Sequence, residues 1–351
     1  MTPLRFSVCI PAYNRSRLLP PLLDSIFAQD YAVFNVVICE DFSRERNTIS
    51  EIVRSYMQRY PGRISYYENA SNVGYDANVR RLIELANGEY CFFMGNDDLM
   101  CPGALAEADR LISEYPNVGL VLRSYAWFDV EPHRINQEVR YFNEERFFPA
   151  GREAICTCFR RSGVISGYIV HRETAASYAT DKFDGGLFYQ MHLTANVLAD
   201  KNAVFTPKLL ALCRVGEAYE FGNSPAEKGQ HVPGKITART RLVMIGGIVS
   251  ILRHLKGTRN IDVVDDVMRD YASYFYPYIK EQLDLPPGKF LALYRALGRL
   301  GLSRYPMFHF YCVVGYLLGE RNCDFITRHV RGWLGRSPQF GSIRRAGSMR
   351  Y

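Results

Sequence analysis

Two adjacent carboxylates, Asp97 and Asp98, end an apolar run in the stretch GEYCFFMGNDD, Gly88–Asp98. Hard oxygen donors of this kind suit Mg2+ or Mn2+, which typically bind through one or two carboxylates and the phosphates of a substrate. Neighbouring side chains on an extended segment point to opposite sides, so one Asp can face a ribose or sugar and the other a metal. The competing reading, that both acids cap the next helix, needs only one of them. Two earlier apolar runs also end in polar groups, Tyr13–Asn14 and Glu40–Asp41. Taken singly, each of these is a turn or core residue. Taken together, they describe one polar edge able to hold a base, a ribose and a diphosphate.

The elements that must position these residues follow from periodicity. Phe6–Ile10, Phe34–Cys39, Ile64–Glu68, Tyr90–Met94 and Val118–Arg123 are short apolar runs that read as strands. Between them lie amphipathic stretches whose apolar faces are Leu19, Leu22, Leu23 and Ile26, then Ile49, Ile52 and Val53, then Val79, Leu82 and Ile83, then Leu105, Ala108 and Leu111. Strand–helix alternation predicts an α/β fold, a mostly parallel sheet with helices on both faces. In such a sheet ligands bind beyond the carboxyl ends of the strands, where the three polar ends fall. After Ser124 the pattern loosens into a loop with a hairpin over 127–149, a helix over 151–161, a strand over 164–170, a helix over 187–198 and a strand over 204–212. Gly216–Gly234 is polar and rich in Gly and Pro, the composition of a mobile loop or lid. From Ile236 the chain reads as helical, broken at Gly257, Pro286–Pro287 and Pro306.

Composition bounds the rest. A chain of 351 residues with 48% apolar and 23% charged residues is an ordinary globular protein. Nine cysteines without CxxC spacing argue for a reduced, cytosolic compartment and against a zinc site. No signal sequence precedes the first strand, and no apolar run approaches the ~20 residues that span a bilayer. The absence of GxGxxG, GxxxxGK[ST] and GxSxG disfavours dinucleotide oxidoreductases, P-loop NTPases and α/β-hydrolases. The net charge of +7 is uneven, with six arginines and no acid from Phe325 to Tyr351. Such a tail suits an anionic membrane surface or plain solvation. No nucleic-acid partner is expected.

The stretches SVCIPAYNRSRLL, NVVICEDFS, NASNVGYDANVRRLIELANGEYCFFMGNDD and CPGAL, in this order and spacing, resemble a family 2 glycosyltransferase with the GT-A fold. The wording of NVGYDAN and GEYCFFMGNDD is similar to bacterial abequosyltransferase-like enzymes of O-antigen and polysaccharide assembly. The resemblance implies a Rossmann-like GT-A sheet plus a C-terminal helical region. It divides the chain into a nucleotide-sugar-binding half, 1–124, an acceptor-binding half, 125–234, and helices over 235–351. It implies that Pro11, Ala12, Tyr13 and Asn14 line the nucleotide pocket and that Asp41, with Glu40 beside it, accepts from the base. Asn72 and Gly74 would frame the nucleotide loop, and Asp76 or Asn78 would face the donor. Asn96, Asp97 and Asp98 match the DxD position, with Asn where an acid is usual. Asp97 would lie near the ribose or sugar, and Asp98 would hold Mg2+ or Mn2+.

The catalytic base of such enzymes is usually an Asp before a helix in the second half. Gln190 stands there, and an amide cannot act as a base. His192 and Asp184 are the substitutes. The expected activity is metal-dependent, inverting transfer from a UDP-, CDP-, GDP- or dTDP-sugar to a glycan hydroxyl on a lipid-linked acceptor. It would take place in the cytoplasm at the inner membrane face, with Arg239, Arg241, Arg253, His254 and Lys256 flanking an apolar stretch suited to interfacial contact. The alternative is a glycosyltransferase-like module that binds nucleotide sugar or glycan without turnover. A sugar-nucleotide pyrophosphorylase would need a Gly-rich triphosphate loop that PAYNRS does not supply.

Overall fold

The computed structural model describes residues 4–129, 132 and 134–333. Strands β1 (Phe6–Ala12), β2 (Phe34–Glu40), β3 (Ile64–Glu68) and β4 (Tyr90–Phe93) pair in parallel, in the order β3-β2-β1-β4. Helices α1 (Leu19–Phe27), α2 (Arg46–Arg59) and α3 (Tyr75–Leu85) connect them. Every residue of β2 and β4 is buried, which is why these strands read as unbroken apolar runs rather than alternating ones.

Beyond β4 the sheet becomes mixed. Strand β5 (Leu99–Met100), helix α4 (Ala104–Glu114), strand β6 (Val118–Phe128) and the short strands β7 (Ile135–Val139) and β8 (Arg146–Phe148) come next. Helix α5 (Arg152–Cys158), strand β9 (Tyr168–His171), helices α6 (Arg172–Ser177) and α7 (Tyr189–Asp200), and strand β10 (Asn202–Arg214) complete this part. The order continues β4-β9-β6-β10-β5, with β9 antiparallel to both β4 and β6. One sheet therefore joins residues on both sides of Ser124. Its antiparallel strand β9, which joins the two sides, is four residues long, too short to announce its direction.

A helical region packs after the sheet, built from α8 (Ala238–Arg259), α9 (Val264–Ser273), α10 (Tyr276–Ile279), α11 (Pro287–Arg299) and α12 (Pro306–Trp333). Helix α8 runs through Gly257, so the expected break there does not occur. Its end is Asn260 in the left-handed conformation. Gly319 interrupts α12. Among the described residues no helix is long and apolar enough to cross a membrane. The arginine-rich tail beyond 333 lies outside the described residues.

Candidate functional site

At the carboxyl ends of the parallel strands lies a cavity of ≈ 400 Å3. Pro11, Tyr13, Asp41, Asn72, Gly74, Asn78, Asn96, Asp97 and Gln190 line it, which brings together most of the residues chosen from sequence. Its other walls are Tyr75, Trp127, Gly163–Ile165, Leu187 and Met244, and its cover is Arg15, Tyr219–Phe221 and Glu227.

The side of the cavity next to β2 is built by a carboxylate that organises a loop. Asp41 follows β2 directly. It accepts from Asn69 Nδ2 at 2.7 Å, Val73 N at 2.9 Å and Gly74 N at 2.9 Å. Burial raises its pKa, and these donors oppose the rise. Gly74 has φ +89°, and a Cβ there would meet the Ser224 hydroxyl at 2.4 Å, so the turn into α3 requires glycine. Asn78 fixes the loop from the helix side by accepting from Asn69 and donating to Cys39 O.

The acid pair divides unequally. Asp97 lines the cavity and pairs with Arg15 at 2.5 Å. Asp98 lies behind it, accepting from the Ser166 hydroxyl and from Arg214 N. Burial, then the negative charge of Asp97, push Asp98 up to about 7. The Asn96 amide donates to Asn14 O at 2.9 Å and so ties this turn to the end of β1. Buried Arg123 supports the far wall by donating to the carbonyls of Val164 and Ser166. Among the described residues Arg15 is the one side-chain cation paired with either carboxylate, while Arg214 Nε donates to the Asp97 backbone carbonyl. Two neighbouring carboxylates with so little counter-charge, backed by a neutral amide oxygen, form a donor set that fits a hard divalent cation. Among the described residues no cluster of three His, Cys, Asp or Glu forms a self-sufficient metal site, so substrate oxygens would have to complete the shell.

Several expectations need correction. Ala12 is fully buried in the sheet and does not line the cavity. Asn14 lies at the cavity's margin and donates to Glu220. Glu40 turns back into its own loop and accepts from Phe42 N and Ser43 N. Asp76 faces α7 rather than the donor pocket. It accepts from Leu187 N and Tyr189 N, both at 2.9 Å, and burial pushes it up to about 7.

Neither substitute base reaches the cavity. Asp184 is held by Arg80 through two bonds of 2.7 and 2.9 Å. His192 is 2% exposed, with Nε2 bonded to Tyr178 O and Nδ1 facing the Asn196 amide. Burial lowers its pKa to about 4, so it is neutral with both nitrogens engaged. Gln190 does reach the cavity, yet its amide is also engaged, accepting from Tyr75 OH and donating to Gly163 O.

The segment read as a loop or lid does cover the cavity, but its carboxylates were not among the expected site residues. Residues 216–234 fold over the cavity as an irregular strap. Arg17 pairs with Glu217, Arg15 donates to Ala218 O, and Glu220 accepts from Asn14. Glu227 accepts from Gly222 N and from Tyr75 N at the start of α3. The strap thus supplies two carboxylates, Glu220 and Glu227, that no periodicity could have singled out.

Comparison with known proteins agrees with this architecture. Residues 7–170 match the glycosyl transferase family 2 model. Over that domain, a little under half of its length, the chain is similar to family 2 glycosyltransferases. That domain covers β1 to β9 and contains both Asp41 and the Asn96–Asp98 turn. Abequosyltransferase RfbV of Salmonella typhimurium is 31% identical over 132 residues, 36% of this chain and 40% of that protein. The amylovoran biosynthesis glycosyltransferase AmsB of Erwinia amylovora is 35% identical over 99 residues, 28% of this chain and 32% of that protein. The chain thus spans less than half the length of these curated relatives. The solved structure of Staphylococcus aureus TarS 1-349 in complex with UDP-GlcNAc superposes with a TM-score of 0.59 at 15% identity, covering 97% of this chain and 95% of that one. At that identity the likeness concerns the fold, which is the GT-A fold with helices after it.

Proposed function

We propose that the protein transfers a sugar from a nucleoside-diphosphate sugar to a hydroxyl of a glycan acceptor in bacterial surface-polysaccharide synthesis. The observation that carries this reading is the cavity at the strand ends, where Tyr13, Asp41 and Asn72 face Asp97 and Gln190 across one ≈ 400 Å3 space. The base would stack near Tyr13, and the loop held by Asp41 would cradle it. The ribose and sugar would run toward Asp97. Asp97 and Asp98 are the residues that would hold Mg2+ or Mn2+, and when bound such an ion offsets the charge of the departing diphosphate. The relatives' names, an abequosyltransferase and an amylovoran biosynthesis enzyme, support a polysaccharide acceptor.

The general base is assigned to the strap. Four carboxylates line the cavity, namely Asp41, Asp97, Glu220 and Glu227. Asp41 spends its oxygens on the loop and Asp97 on Arg15. Glu227 takes a backbone N–H on each oxygen. Glu220 accepts only from the Asn14 amide, at 3.0 Å, and is the carboxylate left able to take an acceptor's proton. Inversion follows from attack opposite the diphosphate. Peripheral membrane contact is assigned to α12, where Phe310, Val313 and Leu317 are exposed along one face, rather than to α8. There Arg241 and Lys256 are committed to ion pairs.

The decisive assay is release of nucleoside diphosphate from candidate donors, with metal and with extracts of lipid-linked glycan as acceptor. Turnover that vanishes in Asp97→Ala supports the reading. Tight donor binding without turnover in any acceptor favours the binding-module alternative, for which the fully engaged Gln190 amide is the motive.

A further inference from the structure

A second concavity lies outside the cavity described above. It holds ≈ 410 Å3 and is lined by Lys182, Gly246, Val249, Ser250, Arg253, His254, Gly257, Thr258 and Leu300. A neighbouring hollow of ≈ 300 Å3 shares Lys182, Gly246 and Ser250 with it and reaches Gly186 and Phe188. The two form one groove along α8. Gly246 keeps it open, since nothing lies within 4 Å of where a Cβ would stand.

The charge of this groove is uncompensated. Three other basic residues of α8 are paired: Arg241 with Glu281, Lys256 with Asp262 and Arg259 with Asp200. Among the described residues neither Lys182 nor Arg253 has an ion-pair partner. The Lys182 ammonium stands 3.0 Å from His254 Nδ1 and donates to it. The ring then carries its proton on Nε2, which becomes a further donor. The one acid lining either hollow, Asp184 in the smaller one, is already taken by Arg80 through two bonds. The Ser250 hydroxyl completes the donors around an acid-free end, while the Thr258 hydroxyl donates to His254 O. Ammonium, guanidinium and imidazole N–H groups converging without a carboxylate are what a phosphate's oxygens require.

The groove is also placed to serve the cavity. Leu187 and Met244 line the cavity, while Gly186, Phe188, Val243 and Gly247 line the groove on the other side of the same wall. From Met244 to Arg253 is nine residues of α8, about 14 Å at the helical rise of ~1.5 Å per residue. An acceptor that passes around this wall, with its hydroxyl at the cavity and its anionic group at Arg253, has at least that distance to span.

We propose that Lys182, Arg253 and His254 form a phosphate-binding subsite that holds the phosphate end of the acceptor. Its identity as an acceptor subsite rests on the glycosyl-transfer reading, but its affinity for phosphate does not. Calorimetric titration of the full chain with pyrophosphate and with farnesyl diphosphate tests it, using wild type and the double variant Lys182→Ala/Arg253→Ala. Both residues are exposed, so the variant should fold as wild type does. The expected result is pyrophosphate binding weakened about tenfold or more in the variant, with nucleoside-diphosphate affinity unchanged. Tighter binding of farnesyl diphosphate than of pyrophosphate supports a lipid carrier as the source of the phosphate. Equal binding supports a phosphate borne by a polymer or free in solution. Identical pyrophosphate and farnesyl diphosphate affinities in variant and wild type overturn the subsite, whatever the nucleotide data. Loss of pyrophosphate binding in the variant of a chain that binds no nucleotide supports the subsite and refutes the transfer reading.

Discussion

The Tyr75 hydroxyl donates to Gln190 Oε1 at 3.1 Å, while the Tyr75 backbone N–H donates to Glu227 Oε1 at 3.0 Å. One residue at the start of α3 thus joins the position where a base is expected to the strap that covers the cavity. Tyr75→Phe removes the first link only. It should lower stability by about 1 kcal/mol and lower kcat more than it changes nucleotide affinity, since Gln190 is then held by Gly163 alone. Equal kcat in Tyr75→Phe and wild type would show that the orientation of Gln190 does not matter. Chemical denaturation and steady-state kinetics measure both quantities.

The two strap carboxylates should behave differently. Glu220→Gln keeps size and can keep an acceptor oxygen toward Asn14, but it cannot take a proton. Loss of a general base typically costs on the order of 10²–10⁴ in rate, so kcat should fall by that amount with folding unaffected. Glu227→Gln places an amide N–H2 against one of two backbone N–H groups, at the helix N-terminus where negative charge is favourable. It should lower Tm measurably and reduce kcat less than Glu220→Gln does. A kcat of Glu220→Gln within about twofold of wild type would remove Glu220 from the role of base.

Arg15 and Asp97 form a half-buried pair that links the acid turn to the strap. Removing the cation leaves Asp97 and Asp98 side by side. Arg15→Ala should destabilise the metal-free protein by about 1–3 kcal/mol. Added Mn2+ should recover more stability in Arg15→Ala than in wild type, because the ion takes the place of the lost charge. Thermal unfolding with and without Mn2+ gives the comparison. An equal Mn2+ shift in the two proteins would argue against a cation at this pair.

His192 makes stability depend on pH. Its folded pKa, lowered by burial to about 4, lies below the unfolded value of ~6.5. Between these values the unfolded chain binds the extra proton. The contribution is therefore fully present above about pH 6.5 and is lost as pH falls toward 4, to a total of about 3 kcal/mol. His192→Gln should flatten the stability profile in that window. It should leave kcat near neutral pH largely intact, because the ring faces Tyr178 O and Asn196 rather than the cavity. A kcat loss above about tenfold with normal stability would restore His192 as a catalytic candidate.

Much of this side of the cavity was legible because it depends on contiguous sequence. β1, β2 and β4 are apolar runs whose ends must emerge at one edge, and Asp41 and Asp97 follow from that, whereas Asn72 and Asn78 came from the family resemblance of NASNVGYDAN. The choice between Gln190 and His192 was not legible. Residues Tyr189–Leu198 of α7 are all buried, so no polar stripe marks the cavity face. Two residues apart on a helix is about 200° of rotation, so one of the pair had to face away. The direction of Asp76 was hidden for a similar reason. The family resemblance suggested a donor contact, whereas tertiary packing aims it at α7. Glu220 and Glu227 sit in a segment whose shape is set by contacts with residues about 150–200 positions earlier, such as Arg17–Glu217 and Tyr75–Glu227.

The central claim is that the cavity between Asp41 and Asp97 receives a nucleoside diphosphate with a divalent cation. Isothermal titration of UDP, CDP, GDP and dTDP into the protein, with and without Mn2+, tests it most directly, repeated on Asp97→Ala. One preferred nucleotide should emerge, bound more tightly with Mn2+, and that Mn2+-dependent gain should be lost in Asp97→Ala. Absence of binding by all four, or an identical Mn2+ effect in wild type and Asp97→Ala, would contradict it.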